Sequence, residues 1–174
     1  MHLFEILTKN TRSREGGKIL NEIDSVASTE QEVRQSMYSW FCLEAEPKDI
    51  EVILRFPETQ NFKSSSAKVI YRCIVLSKTG NPKGIKSNKK FITYSEDPDI
   101  PHRFFHSLDI TNDYLIIKKI FHQNDLILNF SALANSLGES GGWDEKELWM
   151  KPTVYYRTIE HDEIVYDSRT TNKT

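Results

Sequence analysis

Thr29-Glu30-Gln31-Glu32 is the stretch that most narrows what this chain can fold into. A threonine oxygen and a glutamate three residues on satisfy each other's orphan amides at a helix start. Val33, Met37, Trp40 and Phe41 then follow at i, i+4, i+7 and i+8, with Glu44 marking where the apolar stripe stops. That spacing predicts a helix over about 29–45. Before it, Ile19, Leu20, Ile23 and Val26 predict a shorter helix entered through Gly16-Gly17, so the chain is expected to begin with a helical hairpin.

Beyond Pro47 the apolar period changes to two. Ile50, Val52, Leu54 and Phe56 alternate with Asp49, Glu51, Ile53 and Arg55, as a strand with one wet face requires. A second strand is expected over about 67–78, with Val69, Tyr71, Cys73 and Val75 alternating against Lys68, Ile70, Arg72, Ile74 and Lys78. Phe91 to Tyr94 and Tyr114 to Phe121 predict two more, and Thr153 to Ile159 with Ile164 to Tyr166 reads as a closing hairpin turning at His161-Asp162. One further helix is expected where Asp125 caps a face of Leu126, Phe130, Leu133, Ala134 and Leu137, ending at Gly138 in a left-handed conformation.

Helices first and strands afterwards argue for α+β, because parallel strands would need a helix between successive strands. The expected fold is an N-terminal helical hairpin followed by a mainly antiparallel sheet of about five to six strands with one or two further helices. The 174 residues suit one domain over 1–168, with a flexible tail over 169–174.

Cys42 and Cys73 lie in apolar surroundings with no ligand spacing nearby, and read as small buried hydrophobes in a reducing compartment. The N-terminus MHLFEILTKNTR lacks a basic region ahead of its apolar residues, and no run approaches the length of a membrane span. A cytoplasmic location without membrane contact is expected. No Walker A, GxGxxG or GxSxG motif occurs, so no cofactor is called for.

The stretch DIPHRFFHSLD, residues 99–109, looks most like chemistry. If Asp99 caps a short helix with Pro101 in its first turn, His102 and His106 project from one face a turn apart. With Arg103 they could form the catalytic face of a small nuclease or hydrolase, with a lysine of the basic loop contacting phosphate. A metal site needs a third and often a fourth ligand, which no HExxH or second close pair supplies, so none is assigned. The plainer reading packs Phe104, Phe105 and Leu108 inward and turns the histidines and Arg103 to water.

Charge distribution says more. Between Glu58 and Glu96 no acidic residue occurs, while Lys63, Lys68, Arg72, Lys78, Lys83, Lys86, Lys89 and Lys90 all fall there, in a chain of net charge -2. Lysines on a strand's wet face and on the adjoining loop TGNPKGIKSNKK make a local positive potential, for which a polyanion is the obvious partner. Lys68, Arg72, Lys78, Lys83, Lys86, Lys89 and Lys90 are therefore the expected nucleic-acid contacts. Phe62, Tyr71, Phe91 and Tyr94 interleave with them as potential stacking platforms. The bland counterpart is a solvated lysine loop that protects an edge strand. A third possibility is a protein-binding module of the inhibitor or immunity type, whose acidic C-terminal third from Glu139 to Asp167 meets a basic target. WDEKELWM is expected to close the core with its tryptophans or to present an aromatic patch.

Overall fold

A computed structural model of the chain describes residues 27–42, 44–82, 90–107, 112–139, 146–156 and 159–171, with the side chains of 104–107, 156 and 171 outside that set. Helix α1 (Glu30–Phe41) starts where the capping box requires: the Thr29 amide donates to Glu32 Oε2 at 2.8 Å and the Glu32 amide to Thr29 Oγ1 at 3.3 Å. Val33, Met37 and Trp40 form its buried stripe.

The segment after it is a helix, not the strand its alternation suggests. Helix α2 (Pro47–Arg55) has proline in its first turn, where the missing amide costs nothing, and Asp49 accepts from the Glu46 amide at 2.8 Å. Glu51 and Arg55 pair at i,i+4 with 2.7 Å between them. The decisive residue is Ile53, assigned to the wet face of a strand but 0% exposed. It completes a stripe with Ile50 and Leu54 at i, i+3 and i+4, a pattern that overlaps the period of two over so short a segment. Helices α1 and α2 thus form the helical pair at the start of the described chain, and the helix expected before α1 lies outside the described residues.

Six strands follow: β1 (Val69–Val75), β2 (Ile92–Ser95), β3 (Tyr114–Ile120), β4 (Leu126–Asn129), β5 (Glu147–Met150) and β6 (Ile164–Asp167). They make one sheet in the order β4-β5-β2-β1-β3-β6, with every described pairing antiparallel. The fold is α+β. Between the strands lie helices α3 (Asp99–Ser107), α4 (Phe130–Ser136) and the single turn α5 (Thr153–Tyr156), and a last turn, α6 (Ser168–Thr171), follows β6.

Two further expectations are corrected. Leu126 to Asn129 is strand β4 rather than the first turns of a helix; Leu126 and Leu128 are buried against β5, and Asn129 instead of Asp125 caps α4 by accepting from the Ala132 amide at 3.1 Å. Gly138 does end this region with φ of +72°. The closing hairpin does not form either: Pro152 opens the turn α5, and β6 pairs with β3 through Ile164↔Ile117 and Ile116↔Tyr166.

Each face of the sheet carries a packed core. On the helical face, Trp149 of β5 lies between Phe91 and Phe130, stacked at 4.1 and 4.9 Å, and Trp40 of α1 tilts onto it at 4.9 Å. Val33, Met37, Ile53, Phe56, Leu133 and Leu137 close this core. On the opposite face Ile70, Ile92, Tyr94, Leu148 and Met150 pack with Val154, while Ile74, Leu115 and Ile117 meet Tyr155, Ile159 and Ile164. Both edge strands carry one extra residue: Ile127 stands between the Leu126↔Met150 and Leu128↔Trp149 pairs, and Val165 between the Ile164 and Tyr166 pairs.

Candidate functional site

The antiparallel pairing of β1 with β2, registered at Tyr71↔Ser95, makes residues 76–91 a connection between neighbouring strands at one end of the sheet. It begins with a tight turn: the Gly80 amide donates to the Ser77 carbonyl at 2.9 Å, the Ser77 amide to the Asn81 carbonyl at 2.7 Å, and Leu76 bridges to Pro82. Gly80 has φ of +79°, and a Cβ there would stand 3.3 Å from Nη1 of Arg169. The C-terminal turn therefore rests against this connection. Arg169 is anchored there by Asp167 at 2.6 Å, which holds the Asp167 carboxyl below the usual carboxylate range.

Lys78 and Lys90, at the two ends of the connection, are exposed; Lys83, Lys86 and Lys89 lie outside the described residues. Lys68 is exposed too, but precedes β1 at the far end of the sheet, with roughly 23 Å of strand between it and Lys78. Arg72 faces the core and is 3% exposed. Its Nη1 donates to the Thr93 carbonyl and, at 3.2 Å, to Thr93 Oγ1, and its guanidinium lies 5.7 Å from the centre of the Tyr94 ring and 5.8 Å from that of Tyr155. Burial lowers its pKa, opposed chiefly by Tyr94 and Tyr155. The wet face assigned to Ile70, Arg72 and Ile74 is in fact roofed by α5 and the chain that follows it.

In α3, His102 and Arg103 turn to different neighbours. The His102 ring meets Tyr166 edge-on at 4.6 Å and Tyr114 at 6.4 Å, contacts of a packed helix face. Burial, with a hydrogen bond to Tyr166, pushes the Tyr114 hydroxyl pKa up. Arg103 is exposed and lies 4.0 Å from Asp97 Oδ2, which Lys146 approaches at 3.6 Å. The side chain of His106 lies outside the described residues. Among the described residues no group of three or more His, Cys, Asp or Glu is placed to hold a metal ion.

Among the described residues, four acids of the C-terminal third are engaged within the molecule. Glu139 pairs with Arg34 at 2.9 Å, Glu163 with the buried Lys119, and Asp167 with Arg169. Glu147 is buried, accepting from the indole N–H groups of Trp149 at 2.7 Å and Trp40 at 3.4 Å. Glu160 and Asp162 remain exposed. Both cysteines are free; Cys42 is exposed, and burial pushes the thiol pKa of Cys73 up to about 12, which leaves it unreactive.

One constellation is invisible without the register. Glu147 pairs with Ser95, Ser95 with Tyr71 and Tyr71 with Lys118, so four polar side chains from β5, β2, β1 and β3 form one row on the helical face. Glu147 and Ser95 are buried and Tyr71 and Lys118 partly so, so the row opens toward solvent at β3. No spacing in the sequence announces it, because its members come from four segments.

Comparison of the chain with known protein families, characterised proteins and solved structures finds no match. Among the described residues no helix is long and apolar enough to cross a membrane.

Proposed function

We propose that the protein binds nucleic acid through the connection between β1 and β2. The observation that supports this reading is the sequence run Lys78, Lys83, Lys86, Lys89 and Lys90, which falls between the neighbouring strands β1 and β2. Five cations within 13 residues, with no acidic residue among them, favour a partner with closely spaced phosphates, because each phosphate neutralised releases a condensed counterion. Arg72, in the core, and Lys68, at the far end of the sheet, stand outside this contact set. A cytoplasmic setting accompanies the reading and is supported by the two free thiols.

The test is the salt dependence of oligonucleotide affinity, read by fluorescence anisotropy. Affinity should fall steeply with salt, and the double variant Lys78→Gln/Lys90→Gln should shrink the slope of log K against log salt by about two units, roughly one per phosphate-contacting lysine. Lys68→Gln should leave the slope as it is. No binding at low salt, or an unchanged slope in the double variant, rejects the reading.

A further inference from the structure

At the end of the sheet away from the lysine connection, β1 and β3 leave a corner of the helical face open. Cross-strand pairs point to the same face, so Val69↔Ile120 and Tyr71↔Lys118 put four side chains on one patch. Ile120 is 68% exposed, the most exposed of the large apolar residues described, and the other three are only partly buried. Strand β6 pairs with β3 only as far as Ile117, so it does not flank this corner.

Several cations elsewhere in the molecule are paired. Lys119, next in sequence, reaches the opposite face and is neutralised by Glu163. Lys146 and Arg103 share Asp97. Lys118 makes no ion pair and Tyr71 no side-chain hydrogen bond among the described residues, and the two stand directly opposite each other. A lysine directly across from a tyrosine suits a carboxylate, which accepts from both donors.

We propose that this corner docks a segment of a partner protein that presents a carboxylate between apolar side chains. The carboxylate is received by Lys118 and Tyr71, and the apolar side chains cover Val69 and Ile120. Charge complementarity selects the acidic group, since Lys118 makes no ion pair among the described residues. The aliphatic flanks select protein over nucleic acid: Val69 and Ile120, the latter 68% exposed, offer apolar cover to apolar side chains, whereas single-stranded nucleic acid needs a run of stacked aromatic platforms. The inference is independent of the lysine connection, which lies at the other end of β1.

The probe is a synthetic peptide of alternating Leu and Glu, titrated into the uniformly 15N-labelled full chain. Saturable amide shifts are expected at residues 69–71 and 118–120, with affinity reduced at least tenfold in Lys118→Gln and in Ile120→Ser. A peptide of alternating Leu and Lys should produce no such shifts. Because Lys118 and Ile120 are not core residues, an unchanged circular dichroism spectrum checks that each variant remains folded. Absence of saturable shifts at these residues, undiminished affinity in Lys118→Gln, or oligothymidylate shifting the same amides would overturn the proposal.

Discussion

Among the described residues, the buried charge on the helical face of the sheet is one carboxylate, Glu147, held by the indole N–H groups of Trp40 and Trp149 within a stack of aromatic rings. Turned to the opposite face are two cations, Arg72 and Lys119. Arg72 is held by the Thr93 carbonyl and the faces of Tyr94 and Tyr155, and Lys119 pairs with Glu163. The anion thus depends on neutral donors fixed by dense packing, whereas each cation depends in part on the chain after β5 that folds across the sheet. A buried charge is costly once a partner is removed, so the two faces should fail in different ways.

The largest effect is expected at Trp149. Trp149→Ala empties the centre of the ring stack and should cost about 3–5 kcal/mol in urea unfolding. Trp149→Phe keeps most of the ring packing but removes a donor from Glu147, and should cost about 1–3 kcal/mol. Equal losses would mean that the carboxylate, not the packing, dominates this face.

On the opposite face the Lys119–Glu163 pair is lopsided, the lysine being buried and the glutamate partly open to water. Glu163→Gln removes a counter-charge from an enclosed ammonium and should cost about 2–4 kcal/mol, while Lys119→Met leaves a carboxylate that can turn outward and should cost about 1 kcal/mol. If the two losses match in the same unfolding assay, the roof over this face is looser than its burial implies.

The smallest effect belongs to charges outside both cores. Hydrogen bonds from the Thr29 amide and hydroxyl hold the Glu32 carboxyl below its ordinary pKa, and the Arg169 guanidinium does the same for Asp167. A folded pKa below the unfolded one means that the unfolded chain binds more protons as pH falls. The stabilisation is present above the ordinary carboxylate pKa and is lost as pH drops through the folded values. Melting temperature should therefore decline on acidification below about pH 4, more gently in Asp167→Asn than in the parent.

Much of the architecture was legible from local pattern. The capping box placed α1, and alternation placed the strands around Val69–Val75, Ile92–Ser95 and Tyr114–Ile120. What misled was ambiguity over short spans: Ile50, Ile53 and Leu54 satisfy a helix while Ile50, Val52, Leu54 and Phe56 satisfy a strand, and Pro47 with Asp49 decided for the helix. Leu126 to Asn129 failed in reverse, because pairing with β5 overrode a helical stripe. The candidate site divided along the same line. The lysine run from Lys78 to Lys90 is readable from sequence alone, whereas the fate of Arg72 depended on which segment roofed the second face. The row from Glu147 to Lys118 depended on four separate segments meeting in register.

The extra residues Ile127 and Val165 at the two outermost strands have a consequence for life at high concentration. An edge that carries a bulge is kinked and more strongly twisted, so it makes a poor template for a strand from another molecule. With both rims interrupted, and with Val165 46% exposed at one of them, growth of this sheet into fibrils is discouraged from either side.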